Sequence, residues 1–317
     1  MRTRARPAAV GLLVAVLVAV LVVVLVVVLV VAAVVVLRPR GAPTGDAPAP
    51  GPAPRAVDLT VASFNVLGSS HTRPRGNRSE MDPADVRMGG VLALLERERV
   101  DLVGFQELLR DQQLLFRARA AGWRLWPGPA GPGRAGEASV AWRTDTWALA
   151  RGELVDVPDA DGAPRPFPRV LLRHRGSGLL VRLSNHHHPA DTRRYPRQER
   201  FREAAERRQV ELALASEDEG LPQLVVGDMN ERGDYFCAIT GATPLTTGAG
   251  GSHADGSCLP PAEMVVDWVF GSPGLTWTGY AVLRDQLVRR TTDHAVVVAS
   301  ARIDPADFPD AVVAEPG

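Results

Sequence analysis

QLVVGDMN, residues 223–230, is the stretch that decides the fold. Leu224 to Val226 form an apolar run of strand character, and Gly227 leaves the backbone free to turn out of a sheet. Side chains alternate along a strand, so Asp228 and Asn230 fall on one face. The same arrangement recurs on both sides: Asn65 in VASFNVLG, Glu107 in VGFQE, Asn185 and His187 in RLSNHHH, Asp267 in MVVDWVF, and Asp293 with His294 in TTDHAVVV. Each lies within or just after an apolar run. A fold that gathers those strand ends collects carboxylates, amides and imidazoles at one edge.

Between these islands the pattern is mixed α/β. DPADVRMGGVLALLERERV predicts a helix from about Asp82 with Pro83 in its first turn, and YPRQERFREAAERRQVELALAS predicts a long one. RVLLRHR and LLVRLSNHH read as a strand pair joined by a Gly-Ser-Gly turn, and ASVAWR, MVVDWVF and HAVVVASA as further strands. Residues 231–262 read as loop. Hairpins and helical crossovers both occur, a mixed α/β pattern.

Strand parity sorts the triple histidine. Asn185 and His187 share one face, and His186 and His188 point the other way as packing or rim residues. Glu107 and Asp293 border strongly apolar strands, where a lone carboxylate is costly to bury without a cation or donor. A hard, oxygen-loving ion such as Mg²⁺ removes that cost and takes only one or two protein carboxylates, leaving positions for water and phosphate.

FQE, SNHH, GDMN, VDWVF and TDH, in this order, resemble the motifs of the endonuclease/exonuclease/phosphatase superfamily, and the resemblance covers roughly Asp58 to Ile303. It implies a four-layer α/β sandwich with two packed mixed β-sheets and the site at one edge. It also implies Glu107 as principal Mg²⁺ ligand (Mn²⁺ or Ca²⁺ being substitutes), with Asn65 and Asp293 near the metal directly or through water. His187 and Asn230 would donate to phosphate oxygens. Asp228 would orient or deprotonate the attacking water or assist the leaving group, and His294 would be base or electrostatic partner, held by Asp267. Two positions depart from the pattern: Leu67 stands where many relatives have an acid, and Thr292 where serine is usual.

Ala8 to Leu37 is 30 residues without a charge, a helix of ~45 Å against a hydrocarbon layer of ~30 Å. It predicts a transmembrane helix at 8–37, after a short cytoplasmic N-terminus at 1–7. Residues 38–56 hold six prolines and three glycines, an extended linker. The catalytic domain is expected at 57–303, with a frayed tail at 304–317. Cys237 and Cys258 are the only cysteines, and a disulfide between them, worth roughly 3 kcal/mol, fits a domain outside the cytoplasm at the cell membrane.

All 36 basic residues are arginine; from Val57 onward 30 face 35 acids, which excludes strong non-specific nucleic-acid binding through net charge. Arg193 and Arg194, just after the His187 strand, are candidate substrate contacts, as is Asn185. No spacing of the tryptophans forms a base-stacking platform. The expectation is a membrane-anchored phosphoesterase acting on phosphodiesters, nucleic acid first and a phospholipid or sphingolipid head group second, with no obligate protein partner. A catalytically silent binding module on the same fold is the competing reading, and the filled motif positions argue against it.

Overall fold

The computed structural model describes residues 55–313. The expected spanning helix and residues 38–54 of the linker lie outside them. Among the described residues no helix is long and apolar enough to cross a membrane.

The chain runs β1 (Val57–Asn65), α1 (Ala84–Arg97), β2 (Leu102–Gln106), α2 (Arg110–Arg119), β3 (Trp123–Trp126), β4 (Val140–Arg143), β5 (Trp147–Pro158), β6 (Pro164–His174) and β7 (Leu180–His187). It continues through α3 (Glu199–Asp218), β8 (Gln223–Asp228), α4 (Gly233–Ala242), β9 (Ser252–Ala254), β10 (Ser257–Leu259), β11 (Asp267–Gly271), β12 (Leu275–Leu283), α5 (Gln286–Thr291) and β13 (Val296–Ile303). One sheet has the order β12-β13-β1-β2-β4-β3 and the other β11-β8-β7-β6-β5. Each is antiparallel apart from one parallel pair, β1 with β2 and β7 with β8.

Alternation builds the layers. Val57, Leu59 and Val61 of β1 turn toward the other sheet and meet a core that includes Val181, Leu183, Leu224, Val226 and Val269. Ala62, Phe64 and Val66 turn the other way, onto Met88, Val91 and Leu95 of α1 and Val288 of α5. Across the second sheet, Val225, Trp268 and Phe270 pack on Ala213 of α3 and on Tyr235, Phe236 and Ile239 of α4. Helices therefore cover both outer faces of two stacked mixed sheets. Each large apolar side chain so buried contributes roughly 1.5–3 kcal/mol.

The sheets approach closely at Gly104, where a Cβ would lie 2.3 Å from Val226 Cγ2 and 2.5 Å from Asn185 Oδ1. A side chain there would wedge the sheets apart just behind the polar edge.

Three strands escape the periodic pattern: β3, β5 and β12. Residues 231–262 are more ordered than their composition suggests, because α4 occupies the start of the stretch and β9 and β10 form a hairpin near its end. Cys237 on α4 is bonded to Cys258 on β10, as expected, with Cα atoms 5.7 Å apart. Residues 304–313 correct the expectation of a frayed tail. Asp304 caps a short turn at Ala306, Ala311 is fully buried, and Val312 bridges to Leu179.

Candidate active site

The inward-facing rows of the two sheets change from apolar to polar at one end. Val61 and Ser63 lead to Asn65, Leu183 to Asn185 and His187, Val226 to Asp228, and Val269 back to Asp267. Register aligns them: His187 stands beside Asp228, and Asp228 opposite Asp267. The six sequence islands thus meet at one edge.

Asn65 is the hub. It is fully buried, and its Nδ2 lies 3.2 Å from Glu107 Oε1, 3.1 Å from Asp228 Oδ2 and 3.4 Å from His294 Nε2. Its Oδ1 accepts from Leu67 N–H (3.0 Å). Asn65 presents its amide nitrogen to the carboxylates and ties Glu107 to Asp228 as a donor.

Glu107 follows the last residue of β2, so extended backbone would aim it away from the sheet interface. Its φ of 57° turns the side chain back, and Gly68 N–H donates to Oε2 at 2.9 Å. Leu67 and Asn230 also leave their strands with positive φ, 54° and 51°. Such backbone costs on the order of 1–3 kcal/mol per residue and persists where the surroundings over-determine it, as at active sites.

His294 lies 3.0 Å from Asp267 Oδ2 and 3.7 Å from Asp228 Oδ2 through Nδ1. Burial opposes its charge, but those carboxylates outweigh burial and push it up to about 10. Thr292 holds this segment in place: its hydroxyl donates to Asn65 O (2.7 Å) and accepts from His294 N–H (3.2 Å). Threonine thus supplies the hydroxyl that this segment needs.

Asp228 is pushed up to about 7 by burial and by the charge of Asp267, against the pull of His294. Its Oδ1 accepts from Asn230 N–H at 2.9 Å. Asn230 Nδ2 donates to His188 O (2.8 Å). His187 Nε2 lies 3.6 Å from Asp228 Oδ2, and burial pushes its ring down to about 4, so it is neutral near pH 7. Glu107 is held below the usual carboxylate range: burial raises it, but the hydrogen bond from His71 and the nearby His187 prevail.

Asn185 is not a substrate contact. It is fully buried, donates to Phe105 O (2.7 Å) and Ala138 O (2.6 Å), and accepts from Gln106 Nε2 (2.7 Å), which makes it a pin between the sheets. Arg193 and Arg194 are exposed on the loop after β7, with Arg194 over the Tyr195 ring at 5.2 Å, between Thr192 and Tyr195, which line the cleft at His187.

Two cations were missed in the sequence, both on the loop between β1 and α1. His71 Nε2 lies 3.3 Å from Glu107 Oε2, and Arg78 Nε donates to Asp293 Oδ2 at 2.9 Å. The signal was SSHTRPRGNR, a basic loop directly after the Asn65 strand. Arg87 fixes the root of that loop: only 2% exposed, it donates to Val66 O, Leu67 O, Asp82 O and Thr291 O.

Two separate clefts adjoin the cluster. One of about 310 Å³ is lined by Glu107, His187, Arg134 and Arg165, and one of about 490 Å³ by Arg78, Asp293 and His294. A third cavity, lined by Thr240, Thr246, Ser252 and His253, is remote from these groups.

The donor set fits a hard divalent cation. Glu107, Asp228, Asp267 and Asp293 offer oxygens at one strand-end edge, the chemistry such an ion requires. Among the described residues, Asp228, Asp267 and His294 bring one ligating atom each within 4.8 Å of one another. Glu107 and Asp293, the expected holders of a metal, stand at the same edge, paired with His71 and Arg78.

The family model of the endonuclease/exonuclease/phosphatase family matches residues 62–294. No curated protein matches the sequence. Among solved structures, an endonuclease/exonuclease/phosphatase family protein from Bacteroides thetaiotaomicron is similar at 17% identity and TM-score 0.62, covering 81% of this chain and 99% of its own. A mannosyl-6-phosphatase of the same organism gives 17% and 0.59, covering 77% and 99%. D. rerio TDP2, complexed with a single-strand DNA product, gives 16% and 0.55, covering 77% and 98%.

Proposed function

The chain belongs to the endonuclease/exonuclease/phosphatase family and is a phosphoester hydrolase, and from that premise we propose that it is a phosphodiesterase, anchored in the cell membrane with its catalytic domain outside the cytoplasm. The observation that carries the diester reading is the pair of separate clefts adjoining the polar cluster, one at His187 and one at His294. A diester has two substituents to seat, a monoester one. Nucleotide-bearing diesters are the first substrate class, in line with the DNA product bound by the similar TDP2.

Asp228, close to pH 7 and half-satisfied by Asn65 and Asn230, is placed to take the proton of the attacking water. His187, neutral, donates one N–H to a non-bridging phosphate oxygen, and Asn230 adds its remaining amide hydrogen. His294, cationic and oriented by Asp267, stabilises the charge that grows on the oxygens as the phosphorus becomes five-coordinate. A divalent cation, held by Glu107 with Asp293 alongside, would neutralise the phosphoryl oxygens.

The anchor is supported by the apolar run at 8–37 and by the Cys237–Cys258 bond, which belongs in an oxidising compartment. The test is release of 4-nitrophenol from bis(4-nitrophenyl) phosphate and from 4-nitrophenyl phosphate, with Mg²⁺ and with EDTA. Faster, EDTA-sensitive hydrolysis of the diester is expected; faster hydrolysis of the monoester would overturn the reading.

A further inference from the structure

The cleft beside His187 is walled by a ring of alternating charge. Arg134 reaches Glu137 Oε2 at 2.9 Å and Asp159 Oδ2 at 3.2 Å, and Arg165 reaches the same two oxygens at 3.2 and 3.5 Å. The Arg165 side chain is 4% exposed and lies over the Phe167 ring at 4.9 Å, which in turn stacks with His186 at 5.8 Å. The wall is therefore rigid before any ligand arrives, and little ordering entropy is lost on binding.

Its charge balance excludes one kind of occupant and favours another. Arg134 and Arg165 are already paired with Glu137 and Asp159, and His71 with Glu107, so the lining is charge-balanced and offers no net attraction to a second phosphate of a polyanion. All four ion-pair contacts run through a single oxygen of each carboxylate. Among the described residues nothing donates to Glu137 Oε1 or Asp159 Oδ1. The wall thus offers fixed acceptors beside fixed donors, and a hydroxyl group, which donates and accepts at once, satisfies both. Tyr195 lines the same cleft.

We propose that this cleft seats a ring bearing free hydroxyl groups, a sugar or a cyclitol, attached to the scissile phosphate. Glu137 and Asp159 accept from its hydroxyls, and Arg134 and Arg165 donate to them. These four residues set specificity, and the seat rests on the phosphodiesterase reading of the adjoining site.

The test is calorimetric binding to the full chain in detergent, which needs no turnover. The probes are two pairs: uridine 5′-phosphate against 2′,3′-dideoxyuridine 5′-phosphate, and myo-inositol 1-phosphate against cyclohexyl phosphate. In at least one pair the hydroxylated member should bind about tenfold tighter or more, the scale of a hydrogen bond to a charged group. The pair that discriminates identifies the source of the ring. Glu137→Gln, Asp159→Asn and Arg134→Gln should each shrink that ratio severalfold; Arg134 is 59% exposed, so its variant keeps the fold. Equal affinities within both pairs, or a ratio unchanged in all three variants, would overturn the seat. Discrimination by a protein that hydrolyses no bis(4-nitrophenyl) phosphate would support the seat and bring down only the diesterase reading. Turnover of that diester without discrimination would bring down only the seat.

Discussion

Two polar clusters lie back to back across β7 and β8. The inner one, Asn65, Glu107, His187, Asp228, Asp267 and His294, opens to solvent where the strands end. The outer one, His186, His188, Glu206, Gln209 and Tyr235, is sealed beneath α3 and α4: His188 packs edge-on against His186 at 6.3 Å and against Tyr235 at 5.7 Å. Adjacent histidines of one strand therefore sit in opposite circumstances. Burial pushes His186 down to about 3 with no carboxylate acting on it, whereas the inner cluster sets each charge against a partner. Buried polarity alone does not mark a site; access to water and opposed charges do.

The largest test of that contrast is on turnover. His187→Ala and His294→Ala should each lower kcat by ~10²–10⁴-fold without unfolding the protein, the range for an acid–base or oxyanion-stabilising group. His186→Ala, one residue away on the outer face, should keep kcat within about threefold of wild type. A result with these two effects exchanged, in proteins of normal circular dichroism, would erase the distinction between the faces.

A smaller effect, on metal response, sharpens the inner side. Glu107→Gln removes ligand charge while keeping shape, so the Mg²⁺ concentration for half-maximal activity should rise by about tenfold or more. An unchanged metal titration would remove Glu107 from the metal site.

The smallest effect tests the outer side through pH. Glu206 is pushed up to about 8 by burial and by its hydrogen bond with Glu231. A carboxyl raised in the folded state contributes stability fully present below its ordinary value near 4.5, and loses it as pH rises through about 8. Wild type should therefore lose on the order of 1–2 kcal/mol between pH 5 and pH 9, and Glu206→Gln should flatten that slope, read by urea denaturation at each pH. Equal slopes would show that Glu206 is ionised in the fold.

The inner face was legible because a two-residue period and an apolar run place a side chain on a face without knowledge of anything else. That is why His187 and His186 could be assigned to opposite sides. Asn185 misled for the same reason: it shares the inner face, but its burial depends on Gly104 in the opposite sheet, which no local pattern announces. The cleft wall was invisible. Arg134 and Glu137 come from a short turn before β4, Asp159 from the loop after β5 and Arg165 from the next strand, so the four are joined by space and not by spacing. His71 and Arg78 likewise sit on irregular backbone. Residues 304–313 looked frayed because proline and acid dominate them, yet Ala311 and Phe308 find apolar ground against the sheets.

The first strand of the domain pairs with its last. Val57 stands opposite Ile303 in the β1–β13 ladder, and the contact between Asn65 and His294 spans 229 positions of sequence. Loop-closure entropy is met before such a contact forms, so the hub of the site is among the slowest parts to assemble. A growing chain that has reached β8 already carries Asn65, Glu107, His187 and Asp228, but its central strand has an open edge until β13 arrives. Catalysis therefore cannot begin on a nascent chain, and the half-made sheet, rich in valine, is the state most exposed to wrong pairing.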